Sequence, residues 1–361
     1  MSILKRVIIL LLFSIFFIPL VSCTKSFEDY SVGIKPDGFD DPMPEIWENG
    51  YFYYPGYCNG DIAHIDATGL TEITVGINDP YWELWNAENL ENIYVVDGHP
   101  TLVSEDGVLY SKSGETLIRW PAKKPVIKPK STIKYFAPGC YSQCINFSGD
   151  FELPDGTISI GGGAFYECSL TKIHVKQNVK TVGHGAFVAK GLKTIEVSSS
   201  IVYRTFFSSN FIESIIFSEG VKQLRKSEGY SRLIDVMLNL SSVKFSTTLE
   251  AIGDVYFPVN IAVEQYTLND NIQYLSGFAF DTNSKFGADG IGLPNGRYRL
   301  CKTEFNCSNE ILTEYLVKKM PIWKQEWDAF IDKIEIAVQI YKEHGSPNES
   351  LEIYLEFLKN K

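Results

Sequence analysis

Seven cysteines and five histidines are the side chains in this 361-residue chain best suited to nucleophilic attack or metal ligation. Their spacing sets up neither. Zinc needs paired ligands at tight intervals, and no C-x-x-C or H-x-x-x-H occurs. His64, His99, His174, His184 and His344 are scattered. Cys140 with Cys144, and Cys301 with Cys307, lie close enough to bridge if the chain meets an oxidising compartment. The glycine-rich stretch Ser159 to Phe165 has no helix expected behind it, so it is not a phosphate cradle. There is no nucleophile elbow, and no carboxylate pair stands at a spacing that suggests acid and base work. The expectation is a protein that is not an enzyme, with no catalytic residues, no metal and no cofactor.

What the residues do offer is a surface. Leu-x-x-Ile-x-Val recurs as LTEITV (from Leu70), LENIYV (from Leu90), LTKIHV (from Leu170) and LKTIEV (from Leu192), with looser copies IESIIF (from Ile212) and LSSVKF (from Leu240). Within a copy Ile and Val stand two apart, so they share one side of a short strand and their neighbours share the other. Tyr94, Lys172, His174, Glu196, Ile216 and Lys244 fall on the outward side and form the candidate binding face. Their mixed character names no ligand.

The elements that position them are repeats of about 20 to 22 residues, the period of a solenoid in which each turn buries its apolar side against its neighbours. Each copy has a second half with apolar residues three apart and a turn residue nearby, such as Val179 with Val182 and Val221 with Leu224. Phe165, Phe187 and Phe207 each stand eight residues before the next strand isoleucine. This pattern predicts two short extended faces per turn, joined by glycine-bearing corners and locked by a buried Phe. The blocks GGGAFYECSLTKIHV and VGHGAFVAKGLKTIEV resemble the BspA-like leucine-rich repeats of bacterial surface proteins. VVDGHPTLVSEDGVLYSKSGETLIRWPAKK (Val95 to Lys124) is similar to a second block of that family. The resemblance runs over about Gly69 to Phe280 and is degenerate at 131–146 and 227–238. It implies a β-rich leucine-rich-repeat solenoid in a right-handed coil, adhesion or protein–protein interaction, and a buried thiol at Cys168.

The first residues fix the expected compartment. Lys5 and Arg6 precede a 14-residue apolar run, too short to span a bilayer comfortably and right for a signal peptide. LVSC (Leu20 to Cys23) resembles the lipobox of bacterial lipoproteins, which implies acylation of Cys23 and a membrane partner through acyl chains. A plain signal peptide or signal anchor is the alternative. The sequence then divides into a signal peptide (1–22), a flexible polar tether (23–45), an N-terminal cap (46–68), the solenoid (69–308) and a helical C-terminal cap (309–361). In that last part Trp323, Trp327, Phe330, Ile334, Val338 and Tyr341 share a helix face, Pro321 separates it from 311–320, and a short last helix follows over 350–361.

The whole chain carries a net charge of −11, which argues against nucleic acid. The aromatic set Trp47, Tyr53, Tyr54, Trp82 and Trp85 reads either as the cap over the solenoid's open end or as a platform on which sugar rings stack. Three functions therefore stay open. The leading one is capture of a protein on a host or neighbouring cell by a lipoprotein of the bacterial outer membrane, facing the exterior. The others are glycan capture and a structural envelope role.

Overall fold

The computed structural model describes residues 31–44, 71–75, 84, 87–125, 128–146, 148–207, 209, 211–227, 239–258, 263, 265–281, 304–306, 309–343, 352 and 355–356. They form a β-solenoid. Its front is a five-stranded parallel sheet of Ser148–Glu152, Ser169–Val175, Thr194–Val197, Ser214–Phe217 and Ser242–Lys244. Phe151, Ile173, Ile195, Ile215 and Val243 stand in register along it and point inward. A slip of one residue would turn this row to water, so the apolar alternation alone fixes the pairing. Glu72–Val75 and Asn92–Val95 pair in the same way, with Ile73 opposite Ile93.

The second half of each turn builds a lateral wall. It starts as the antiparallel strands Leu102–Glu105, Val108–Ser111 and Thr116–Arg119, then runs parallel through Tyr135–Phe136, Ser159–Ile160 and Thr181–Val182. The first hairpin turns on Asp106 and Gly107, both at positive φ (50° and 73°), the two-residue turn that suits twisted strands. Ile201–Tyr203, Gln223–Arg225, Ala251–Ile252 and Tyr274–Leu275 form a further lateral sheet.

The corners explain the Gly-x-x-Ala-Phe pattern. A Cβ on Gly183 would sit 2.3 Å from the Gly162 nitrogen, and one on Gly161 would sit 2.3 Å from the Pro138 nitrogen. Backbones of successive turns touch there, and only glycine fits. The close approach lets Phe165 N–H donate to Ala186 O and Tyr141 N–H to Ala164 O, each at 2.8 Å. The aromatic side chains then stack between turns, Tyr141 on Phe165 at 5.4 Å and Phe165 on Phe187 at 5.8 Å. Tyr141 thus occupies the Phe position of the degenerate turn, and Ala137 and Cys140 take the places of Gly161 and Ala164.

Two sequence expectations are corrected at the ends. The first concerns 23–45, read as a flexible tether. Residues 31–44 instead lie across the lateral sheet. Val32–Gly33 pairs antiparallel with Tyr274–Leu275, and Val32 enters the main core. Phe39 is buried edge-on to Tyr274, with the Arg225 guanidinium 5.6 Å from its ring. Farther along, Tyr203 Oη donates to Pro42 O at 3.4 Å. Two apolar side chains in a polar Gly/Pro segment carry no periodicity, so the docking leaves no mark in the sequence.

The second correction concerns Pro321, expected to break the C-terminal helices. Glu310–Glu343 is one helix. Proline removes the bond to the carbonyl four residues back, that of Val317. Val317 is 70% exposed, so water reaches that part of the helix and can satisfy the carbonyl. The helix starts on an Asn309 cap, whose Oδ1 accepts from Ile311 N–H at 2.7 Å. Leu312 and Tyr315 seal the last turn: Tyr315 Oη accepts from Phe280 N–H and donates to Phe280 O. Ile334 and Val338 are buried, as the helix stripe predicts. The side chains of Trp323, Trp327 and Phe330 lie outside the described residues, as do 46–68 and most of the short last helix. Among the described residues no helix is long and apolar enough to cross a membrane.

Candidate partner-binding face

The parallel register assembles most of the predicted face into one row. Glu152, His174, Glu196, Ile216 and Lys244 stand on successive strands, each paired to the next. Strand spacing puts neighbours about 4.8 Å apart. Four of the six candidate residues are therefore contiguous, joined by Glu152, which the sequence reading missed because its strand lacks the Leu-x-x-Ile-x-Val string. Lys172 lies in the adjoining row, between Asp150 and Thr194. Tyr94 stands apart on the two-stranded sheet, exposed, its hydroxyl donating to Glu72 Oε1 at 3.3 Å.

The row is braced by serines just beyond the strands. Ser198 Oγ and His174 Nε2 are 2.7 Å apart, and Ser218 Oγ donates to Glu196 Oε1 at 2.7 Å. At one end Lys128 donates to Glu152 at 2.9 Å, and Lys176 donates to Asp155 at 2.6 Å. Lys128 holds the Glu152 carboxyl below the usual range, and Lys176 does the same for Asp155. The surface thus runs from acidic through an imidazole and a second carboxylate to an aliphatic and then a cation. His174 with Ser198 sets an imidazole beside a hydroxyl on the open sheet. Among the described residues no group of three or more His, Cys, Asp or Glu could hold a metal ion.

The thiols are structural. Cys140, Cys144 and Cys168 are buried and free, so the bridge between Cys140 and Cys144 that their spacing allowed is not formed. Each instead faces a carbonyl of another turn: Cys168 Sγ donates to Tyr141 O at 2.8 Å and Cys144 Sγ to Trp120 O at 3.7 Å. Burial pushes the Cys144 thiol up to about 12 and raises those of Cys140 and Cys168 as well. Such groups are inert as nucleophiles. Arg119 lies fully buried among them, donating to Gly139 O at 2.6 Å, and burial lowers its pKa. Nothing in the sequence marks this arginine as internal.

One further feature escaped the sequence reading. An open cleft of about 530 Å³ lies between Asn92–Val95 and the hairpin turn, lined by Asn92, Tyr94, Ser104, Asp106 and Lys124. Lys124 Nζ donates to Asn92 Oδ1 at 3.2 Å across it. Cys23 of the lipobox-like segment, the aromatic set Trp47, Tyr53, Tyr54, Trp82 and Trp85, and Cys58, Cys301 and Cys307 lie outside the described residues.

Fold and face together define a repeat solenoid that displays a flat ladder of mixed side chains. A family model described as a BspA-type leucine-rich repeat region matches in six copies, over residues 125–230 and 235–319, and the chain belongs to that family. No curated protein matches. Among solved structures, the chain is similar to a leucine-rich repeat protein from Eubacterium ventriosum, at 21% identity and a TM-score of 0.46, with 63% of each chain covered. It is also similar to the pneumococcal vaccine antigen PcpA (19%, TM-score 0.34) and to a leucine-rich repeat protein from Bacteroides ovatus (17%, TM-score 0.30). Each of those two alignments covers 48% of this chain and 51% of the other. The chain thus spans between about half and 63% of the length of these solved relatives.

Proposed function

We propose that this chain is a lipid-anchored lipoprotein of the bacterial outer membrane whose outward strand row binds a protein on a host or neighbouring cell, without catalysis. The observation that carries the reading is the in-register row Glu152, His174, Glu196, Ile216 and Lys244. A regular ladder of charged, polar and aliphatic groups offers a protein partner charge complementarity along its length and an apolar contact at Ile216. Membership of the BspA-type family agrees with it. The anchor rests on the lipobox-like Leu-Val-Ser-Cys at Cys23 behind its apolar run. Two or more acyl chains hold a protein stably on a bilayer, since each buried methylene contributes about 0.8 kcal/mol.

Protease shaving of intact cells tests the placement, with mass spectrometry of the released peptides and a Cys23→Ala control. Solenoid peptides released from intact cells support surface display. Full protection until the outer membrane is opened would put the solenoid in the periplasm and remove the adhesion reading.

A further inference from the structure

Ser31 sits at the C-terminal end of the solenoid, where its Oγ accepts from Gly277 N–H at 3.0 Å. The strap then runs back toward earlier turns, past Gly253 and Arg225 to Tyr203. Only residues 24–30 separate it from Cys23, a reach of at most roughly 28 Å even when fully extended. An anchor at Cys23 would therefore hold the C-terminal end of the solenoid near the bilayer, although the strap belongs to the N-terminal part of the chain.

That end also carries the two most exposed large aliphatics among the described residues, Ile34 at 82% and Val317 at 70%. They belong to neighbouring elements, because the helix packs beside Val32–Gly33 and Tyr274–Leu275. Val317 lies two residues from the buried Tyr315, so it faces away from the solenoid. Two lysines nearby are ion-paired, Lys35 with Asp40 at 3.0 Å and Lys318 with Glu314 at 2.8 Å. Exposed aliphatics beside ion-paired lysines, with the strap's Asp37 and Asp41 exposed as well, suit a zwitterionic lipid interface rather than anionic head groups.

We propose that this end, through Ile34 and Val317, rests on the lipid surface, so that the binding row stands out from the membrane with the Asp106 hairpin at its distal end. The proposal rests on acylation of Cys23. Single exposed aliphatics are common on protein surfaces, and it is their coincidence with the short anchor reach that carries the inference.

The test uses the full-length protein purified from its membrane and reconstituted in phosphatidylcholine vesicles. A fluorophore is attached through p-azidophenylalanine in place of either Thr313 or Asp106. Nitroxide head-group lipids then quench it. The expected result is flotation with vesicles and several-fold stronger quenching at 313 than at 106. Ile34→Ser with Val317→Ser should lower quenching at 313 with flotation unchanged. Gly33→Val, whose Cβ would lie 1.9 Å from Gln273 O, should unseat the strap and shrink the difference between the two positions. Equal quenching at both positions, or stronger quenching at 106, overturns the orientation while flotation leaves the anchor intact. Quenching at 313 unchanged in the double serine variant overturns the apolar contact. Absence of flotation removes the anchor reading, and the orientation with it.

Discussion

Gly183 is the residue on which the stacking of turns depends most visibly. A methyl group there meets backbone at 2.3 Å, and backbone cannot swing aside as a side-chain tip would. Gly183→Ala should cost about 1–3 kcal/mol, the usual range for overpacking, read as a lower urea midpoint. A midpoint within error of wild type would mean the turns are not in contact at that corner. Phe187 is buried between Phe165 and the core. Phe187→Asp forfeits at least the ~3–5 kcal/mol of a Phe truncation and adds the burial of a charge, so the melting temperature should fall sharply. An unchanged midpoint would place Phe187 outside the core.

The buried acids add a pH dependence. Cys140, Cys144, Cys168, Tyr141 and Tyr266 all have their pKa raised by burial. A raised folded value means that the unfolded chain releases protons first as pH climbs. Stability is then complete below the ordinary thiol value near 9 and declines above it, by up to about 1.4 kcal/mol per pH unit for each group. Denaturation between pH 8 and 10.5 should show this decline, shallower in a variant with Cys140, Cys144 and Cys168 changed to Ala. A flat profile would contradict the burial of the thiols.

At the scale of elements, what could be read from the sequence tracks how locally the determining pattern is written. The strands Thr194–Val197 and Ser214–Phe217 were legible because an apolar residue at every second position is a local signature that repeats. The Phe165 and Phe187 corners were legible for the same reason. Ser148–Glu152 was not, since Gly149 stands opposite Leu170 and Asp150 opposite Lys172, the register skips Thr171 and the Leu-x-x-Ile spacing is lost, so only pairing with the next strand identifies Phe151 as inward. The strap was illegible because its partners lie at least 161 residues away in sequence, from Tyr203 through Arg225 to Gln273 and Gly277. The continuous helix was missed because proline's local preference was outweighed by solvent access at Val317 and anchoring by Leu312 and Tyr315. The strap should matter energetically. Phe39→Ala removes a buried ring between Tyr274 and Gly253 and should cost about 3 kcal/mol or more. Hydrogen exchange at Ile34, whose amide donates to Gln273 O at 2.9 Å, should quicken in that variant while the amides of Ile195 and Ile215 keep their protection. Uniform loss of protection would make the strap part of one indivisible unit.

At the scale of the whole molecule, the row of five side chains exists only because separate turns place one residue each. No segment of the chain contains the proposed site, and its integrity depends on the core behind it. That division supplies the decisive control: outward residues can be changed without touching Ile173, Ile195 or Ile215. The measurement that bears most directly on the claim is adhesion to partner cells by bacteria displaying the wild-type protein, compared with two variants of equal melting temperature. One is altered on the row by Glu196→Lys with Ile216→Asp. The other is altered on the lateral wall by Lys180→Glu with Lys222→Glu. Adhesion lost in the row variant and kept in the wall variant is the result expected. Adhesion kept in the row variant, or lost equally in both, would contradict the assignment of the row as the binding surface.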